Sequence, residues 1–161
     1  MININLITIG KLKENYLKDA VSEYSKRLSA FCKLNITELQ ESRLSDNPGE
    51  KEIENALSNE AKLISTYINK KSAYNVSLCI EGKQLTSNEL SSKIQEVSIN
   101  GKSTINFIIG SSFGISSDIK SKSDLKLSMS KMTFPHQLAR VLLLEQIYRA
   151  FQISIGGKYH K

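Results

Sequence analysis

The sequence predicts a single α/β domain built on a mainly parallel sheet. Three observations carry that prediction. Stretches with an apolar period of two alternate along the chain with stretches of helical period. One short run, Ile105-Asn-Phe-Ile-Ile109, is apolar at nearly every position, as a strand covered on both faces must be. The 161 residues, 40% hydrophobic and 24% charged, suit one domain over residues 1–161 with a core of its own.

Ile2, Ile4, Leu6 and Ile9 predict a first strand that stops at Gly10. Leu17, Ala20, Val21, Tyr24, Leu28 and Phe31 recur at spacings of three and four, the apolar stripe of a helix. Leu34-Asn-Ile36-Thr37 alternates as a short second strand. Asn47-Pro-Gly49 marks a turn, and Ile53, Leu57, Ala61, Ile64 and Ile68 form a second helical stripe. Val76, Leu78 and Ile80 predict a strand closing at Gly82. Thr86-x-x-Glu89 has the form of a capping box opening a helix with Leu90, Ile94 and Val97. After the Asn100-Gly101 turn comes the strand Ile105–Ile109, ending in Gly110-Ser-Ser-Phe-Gly114. Leu125, Leu127 and Met129 alternate as a fifth strand, and Pro135 suits the first turn of a last helix. In open sheets of this kind ligands gather at the carboxyl ends of strands. Chemistry is therefore expected in the loops after Ile80, Ile109 and Met129.

Several classes fall away. No apolar run approaches the ~20 residues of a membrane-spanning helix. Two prolines, eight glycines and ordinary apolar content argue against disorder. The opening Met1–Gly10 lacks a basic n-region and a long apolar segment, so no secretory signal is expected and the cytoplasm is the expected compartment. Cys32 and Cys79 have no CxxC or His partner nearby and read as small apolar core residues. His136 and His160 have no carboxylate at ligand spacing, so no metal is expected. GxxxxGK[ST] and GxGxxG are both missing.

Charge is uneven. Net charge is +6, and the last 60 residues, with nine bases and three acids, carry all of it. Such a basic region suits RNA, or else a solvated face that only aids solubility.

Two constellations can carry chemistry. Gly110-x-Ser112-x-Gly114 follows a strand as a nucleophile elbow does, and Asp118 or Asp124 with His136 or His160 completes the order of a serine hydrolase. A glycine-rich turn after a buried strand is the structural alternative. The tail Gly156-Gly-Lys-Tyr-His-Lys161 offers mobility, a stacking ring, a proton-handling imidazole and phosphate-seeking lysines. Glu145 stands one turn from both Arg140 and Arg149, in reach of an ion pair.

Three stretches resemble the RlmH (YbeA-like) family of ribosomal RNA methyltransferases in the SPOUT superfamily. They are Phe107–Gly114, Leu127–Leu138, and Glu145–Ala150 with the closing Tyr159-His160-Lys161; the opening Ile-Thr-Ile-Gly-Lys-Leu-Lys and Leu78-x-Ile-x-Gly-Lys83 extend the likeness over the full chain. The family usually has Gly-Gly where this chain has Gly110-Ser111. A Ser111 held at positive φ would be strained. The resemblance implies one SPOUT domain over 1–161 with a C-terminal trefoil knot, a homodimer, and methylation of N3 of a pseudouridine in 23S rRNA, on assembled ribosomes, from S-adenosylmethionine. It puts cofactor contacts at Leu78, Gly110, Met129, Ser130, Lys131, Met132, Thr133 and Phe134. It gives catalytic handling to His136, Arg149, Tyr159 and His160, and RNA contact to Arg140, Arg149, Lys158, Tyr159, His160 and Lys161. A non-catalytic RNA-binding module is the other alternative.

Overall fold

A computed structural model describes all 161 residues. The elements run β1 (Asn3–Ile9), α1 (Asn15–Leu28), β2 (Lys33–Leu39), α2 (Glu50–Ile68), β3 (Ala73–Gln84), α3 (Ser87–Ile99), β4 (Thr104–Ile109), α4 (Ser117–Ser121), β5 (Leu125–Ser128) and α5 (His136–Ser154). The strands form one sheet in the order β2-β1-β4-β3-β5, and every pairing is parallel. This α/β architecture with a parallel sheet agrees with the expectation.

Strand periodicity feeds two cores. Ile4, Leu6, Ile105, Phe107 and Ile109 face α1, α3 and α5, while Ile7, Ile9 and Ile108 face α2 and Ile119 of α4. Both faces are therefore covered, and β4 is buried from Ile105 to Ile109. Helix α5 lies between α1 and α3, burying Leu143, Leu144, Ile147 and Ala150. None of the helices is long and apolar enough to cross a membrane.

Register is held by a polar ladder that hydrophobic patterning does not reveal. Asn35 donates to Asn5 at 3.0 Å, Asn5 to Asn106 at 2.8 Å, Asn106 to Asn75 at 2.8 Å, and Asn75 to the Ile68 carbonyl at 3.1 Å. The four asparagines are direct partners across β2, β1, β4 and β3. Sliding β1, β4 or β3 by one residue would break two of these side-chain bonds, sliding β2 would break one, and each slip would turn the strand's apolar set to the wrong face.

Local differences from the sequence reading have local causes. Helix α1 stops at Leu28, because Ser29 folds its hydroxyl onto the Lys26 carbonyl and Phe31 enters a turn on Leu28. Phe31 then stacks on Phe151, with centroids 5.7 Å apart. Helix α4 is too short to show a period, although Ser116 caps it. The capping box opening α3 is formed as expected. Cys32 is buried, which pushes its thiol up to about 11.

Candidate functional site

One cavity of about 760 Å³ opens at the carboxyl ends of β3, β4 and β5. Its walls come from Leu78–Glu81, Ile109–Ile115, Leu127–Ser130, Met132–His136, Lys120 and Ala139. The three loops expected to hold the chemistry are the three that meet here.

Each wall has a local reason. In β3 the pairing with β5 slips between Leu78 and Lys83, both opposite Leu127, so the residues between them bulge toward the cavity. Gly82 permits that bulge, since a Cβ there would stand 2.7 Å from the Lys126 backbone. Gly110 is equally constrained, because a Cβ would collide with the Gly114 carbonyl. Beyond β5, Ser128 donates to the Ser130 carbonyl and the Met132 amide donates to the Ser130 hydroxyl, each at 3.0 Å. That turn makes an irregular backbone wall of Met129–Phe134.

Seven of the eight residues singled out as cofactor contacts line the cavity; Lys131 is exposed outside it. Met132 and Phe134 are exposed at 68% and 37% on this wall. Glu81 and Lys120, paired at 2.5 Å, are the lining's charged side chains at neutral pH. Patterning did not single out either one: Glu81 sits in a bulge and Lys120 on the short α4.

His136 lines the cavity at the first turn of α5. Burial holds its imidazole below the ordinary range; Glu41 opposes this, while Arg140 and Lys13 reinforce it. A neutral imidazole at neutral pH can accept a proton.

Arg149, Tyr159 and His160 form a separate cluster, outside the cavity. Glu145 organises it. Arg149 donates to Glu145 Oε1 at 3.0 and 2.6 Å, and the Tyr159 hydroxyl donates to the same oxygen at 3.2 Å. The Arg149 guanidinium lies 4.7 Å over the Tyr159 ring and 3.5 Å from His160 Nδ1. Tyr148 packs edge-on against Tyr159 at 4.9 Å. Burial first, then Tyr24 and Glu145, pushes the Tyr159 phenol up to about 12, so the ring stays neutral. Lys158 and Lys161 are exposed beside this cluster in sequence.

Three expectations need correction. Arg140 cannot serve as an RNA contact in this fold: it is 1% exposed, its Nη1 donates to Glu38 and its Nη2 to the carbonyls of Ile9 and Gly10, and its Nε is buried without a partner. The hydrolase constellation does not assemble. Asp124 accepts the Asn75 amide, Asp118 pairs with Lys122, and neither meets a histidine. The feared strain at Ser111 is absent, since no residue other than glycine has positive φ.

Residues 2–160 match the family described as "Predicted SPOUT methyltransferase". The chain is 50% identical over 160 residues to the ribosomal RNA large subunit methyltransferase H of Clostridium acetobutylicum, covering 99% of this chain and 100% of that protein. It is 51% identical to the protein of the same name from Clostridium kluyveri, with the same coverage. Among solved structures, a probable methylase family protein from Haemophilus influenzae matches 98% of this chain and 70% of its own, with TM-score 0.54 at 14% identity. A chain from Legionella pneumophila, described as a methyltransferase in complex with bound SAM, matches 93% of this chain and 66% of its own, with TM-score 0.52 at 14% identity. These two structural likenesses are of fold alone. The protein belongs to the SPOUT methyltransferases, and within them to the ribosomal RNA large subunit methyltransferase H (RlmH) family.

Proposed function

We propose that this chain transfers a methyl group from S-adenosylmethionine to N3 of a pseudouridine in 23S rRNA on assembled ribosomes. In this reading residues 1–161 act as one SPOUT domain with a C-terminal trefoil knot, in a cytoplasmic homodimer. The observation that carries it is the full-length identity of 50% to a protein named ribosomal RNA large subunit methyltransferase H. The basic last 60 residues favour the same polyanionic substrate.

The cavity suits the donor. Its volume lies in the range of roughly 300–1,000 Å³ that takes a drug-sized ligand. Leu78, Met132 and Phe134 offer apolar walls, and Gly110 lines the cavity where its packing against the Gly114 carbonyl leaves no room for a Cβ. Met129, Ser130, Lys131 and Thr133 complete the set that the family resemblance implies. When bound, S-adenosylmethionine supplies a methyl group already activated on a sulfonium.

The remaining tasks fall to side chains. The acceptor imide must lose a proton before N3 can attack. His160 from a second copy's tail takes that proton in this reading, with neutral His136 at the cavity's edge orienting the base. Arg149 stabilises the developing anion. Tyr159, neutral and aromatic, stacks on the target base once it leaves the RNA helix. Lys158 and Lys161 hold phosphates. In its own protomer this tail stands away from the cavity lining, which favours delivery to a partner's site.

The test is transfer of labelled methyl from S-adenosylmethionine to ribosomes lacking the modification, with free rRNA alongside. Label at N3 of one pseudouridine in the large-subunit rRNA is the expected result. RNA binding with no S-adenosylmethionine binding would instead favour the non-catalytic module.

A further inference from the structure

The Gly110–Gly114 wall of the cavity is tied from behind to a carboxylate that the proposed reaction does not use. Glu60, midway along α2, is 3% exposed. One carboxylate oxygen accepts the Ser111 hydroxyl at 3.3 Å, and the other accepts the Ser42 amide at 3.3 Å. It belongs to none of the six ion pairs in the molecule. The charged group that bears on it is Glu41, which repels it. Burying an acid without a cation is costly, so the contacts it makes in return are informative.

Those contacts join two loops far apart in sequence, the one leading into α2 and the one leaving β4. The second needs an anchor. Gly110 and Gly114 flank it with the widest backbone freedom any residue has, and its one internal backbone bond is Gly114 N–H to the Ser111 carbonyl at 2.8 Å. Ser111 lines the cavity yet is only 8% exposed, with its hydroxyl turned back to Glu60. Freed from Glu60, that hydroxyl has other staggered rotamers open to it.

We propose that Glu60 is a positioning residue for the cofactor cavity, clamping Ser111 and so fixing the Gly110–Gly114 wall against which the methyl donor rests. This rests on the reading of the cavity as the donor site. The clamp also gives the Ser111 hydroxyl a task that only a side chain can perform.

Two measurements on the full chain test it: amide hydrogen exchange of residues 110–115, and calorimetric titration with S-adenosylmethionine. Ser111→Ala removes the hydroxyl alone; Glu60→Ala removes the acceptor. Each is expected to speed exchange in the loop and to weaken S-adenosylmethionine by about five- to tenfold, the equivalent of one hydrogen bond. The double variant should be no worse than the poorer single one. Glu60→Gln, which keeps an acceptor for Ser42 and a polar partner for Ser111, should recover parental affinity within about twofold, the residual scatter of a conserved contact. A folded Ser111→Ala chain with parental exchange and affinity would overturn the proposal, as would Glu60→Gln behaving like Glu60→Ala. A parent that binds no S-adenosylmethionine fails the donor reading instead, and loop exchange still judges the clamp.

Discussion

Arg140 Nη1 and Glu38 Oε2 lie 2.8 Å apart across 102 residues of sequence, with the arginine side chain 1% exposed. Arg140 Nη2 also donates to the carbonyls of Ile9 and Gly10 at 3.2 and 2.9 Å, and Glu38 accepts the Leu12 amide at 3.0 Å. The pair thus bolts the first turns of α5 to the ends of β1 and β2, beside the cavity. Removing Arg140 leaves Glu38, 34% exposed, without its cation and the Ile9 and Gly10 carbonyls without a donor, at a cost of about 1–3 kcal/mol. Arg140→Ala is expected to lose that much in urea unfolding, and Arg140→Met, which keeps the volume, distinctly less. An Arg140→Ala chain as stable as the parent, with weaker RNA binding, would return Arg140 to the RNA surface.

Asn106 is 1% exposed and sits at the centre of the asparagine ladder. Asn106→Leu would leave the Asn5 amide and the Asn75 carbonyl without their partner. Each unsatisfied buried group costs about 1–3 kcal/mol. The expected outcome is a loss of that order in denaturant midpoint, larger than for Asn35→Leu at the exposed end of the ladder.

Gly110→Ala tests the packing at that glycine. The added methyl would strike the Gly114 carbonyl and the Ile115 side chain, so the loop must move. S-adenosylmethionine affinity should fall more than about tenfold, 1.4 kcal/mol or more, while far-ultraviolet circular dichroism stays parental. Unchanged affinity would place the donor elsewhere.

His160→Ala separates chemistry from binding. If the tail supplies the proton acceptor, the single-turnover rate should fall about 10²–10⁴-fold with S-adenosylmethionine affinity unchanged. A mixed dimer, one copy carrying His160→Ala and the other Gly110→Ala, tells whose tail serves which cavity. Delivery between copies leaves that dimer one intact site, since the sound tail of the Gly110→Ala copy serves the sound cavity of the other, whereas delivery within a copy leaves none.

Burial raises the Glu60 carboxyl above its ordinary 4.5, so the folded chain holds that proton more tightly than the unfolded chain does. The stability linked to it is present at low pH and falls as pH rises from 4.5 through the raised folded value. Glu60→Gln does not titrate. Its urea midpoint relative to the parent's should climb through that window and then level off. A constant offset from about pH 4 to 8 would break the link, because no proton uptake would then differ between the states.

Much of the fold was legible in the sequence. Strand and helix periods reflect which faces are buried, so Ile105–Ile109 and the α2 stripe could be read directly. So could the Thr86–Glu89 capping box, a contact between near neighbours. The loops that meet at the cavity were expected from the carboxyl ends of the predicted strands, and the glycine-rich turn after β4 marked one of them.

Other features depended on partners distant along the chain. An arginine between apolar residues of α5 reads as a surface charge until Glu38 and two carbonyls arrive to meet its two terminal nitrogens. Asn5, Asn35, Asn75 and Asn106 look like polar interruptions until parallel pairing lines them up. The α4 segment has too few residues for a period, so Lys120 could not be assigned to the cavity. Sequence by itself determined the α/β class, the strand ends that matter and the family, because these are written in local periodicity and contiguous motifs. Only the tertiary structure decided that Arg140 is a buried bolt, that Ser111 is held by Glu60, and that the tail cluster stands apart from the cavity. Burial and hydrogen-bond partners are properties of packing between segments, and no single segment carries them.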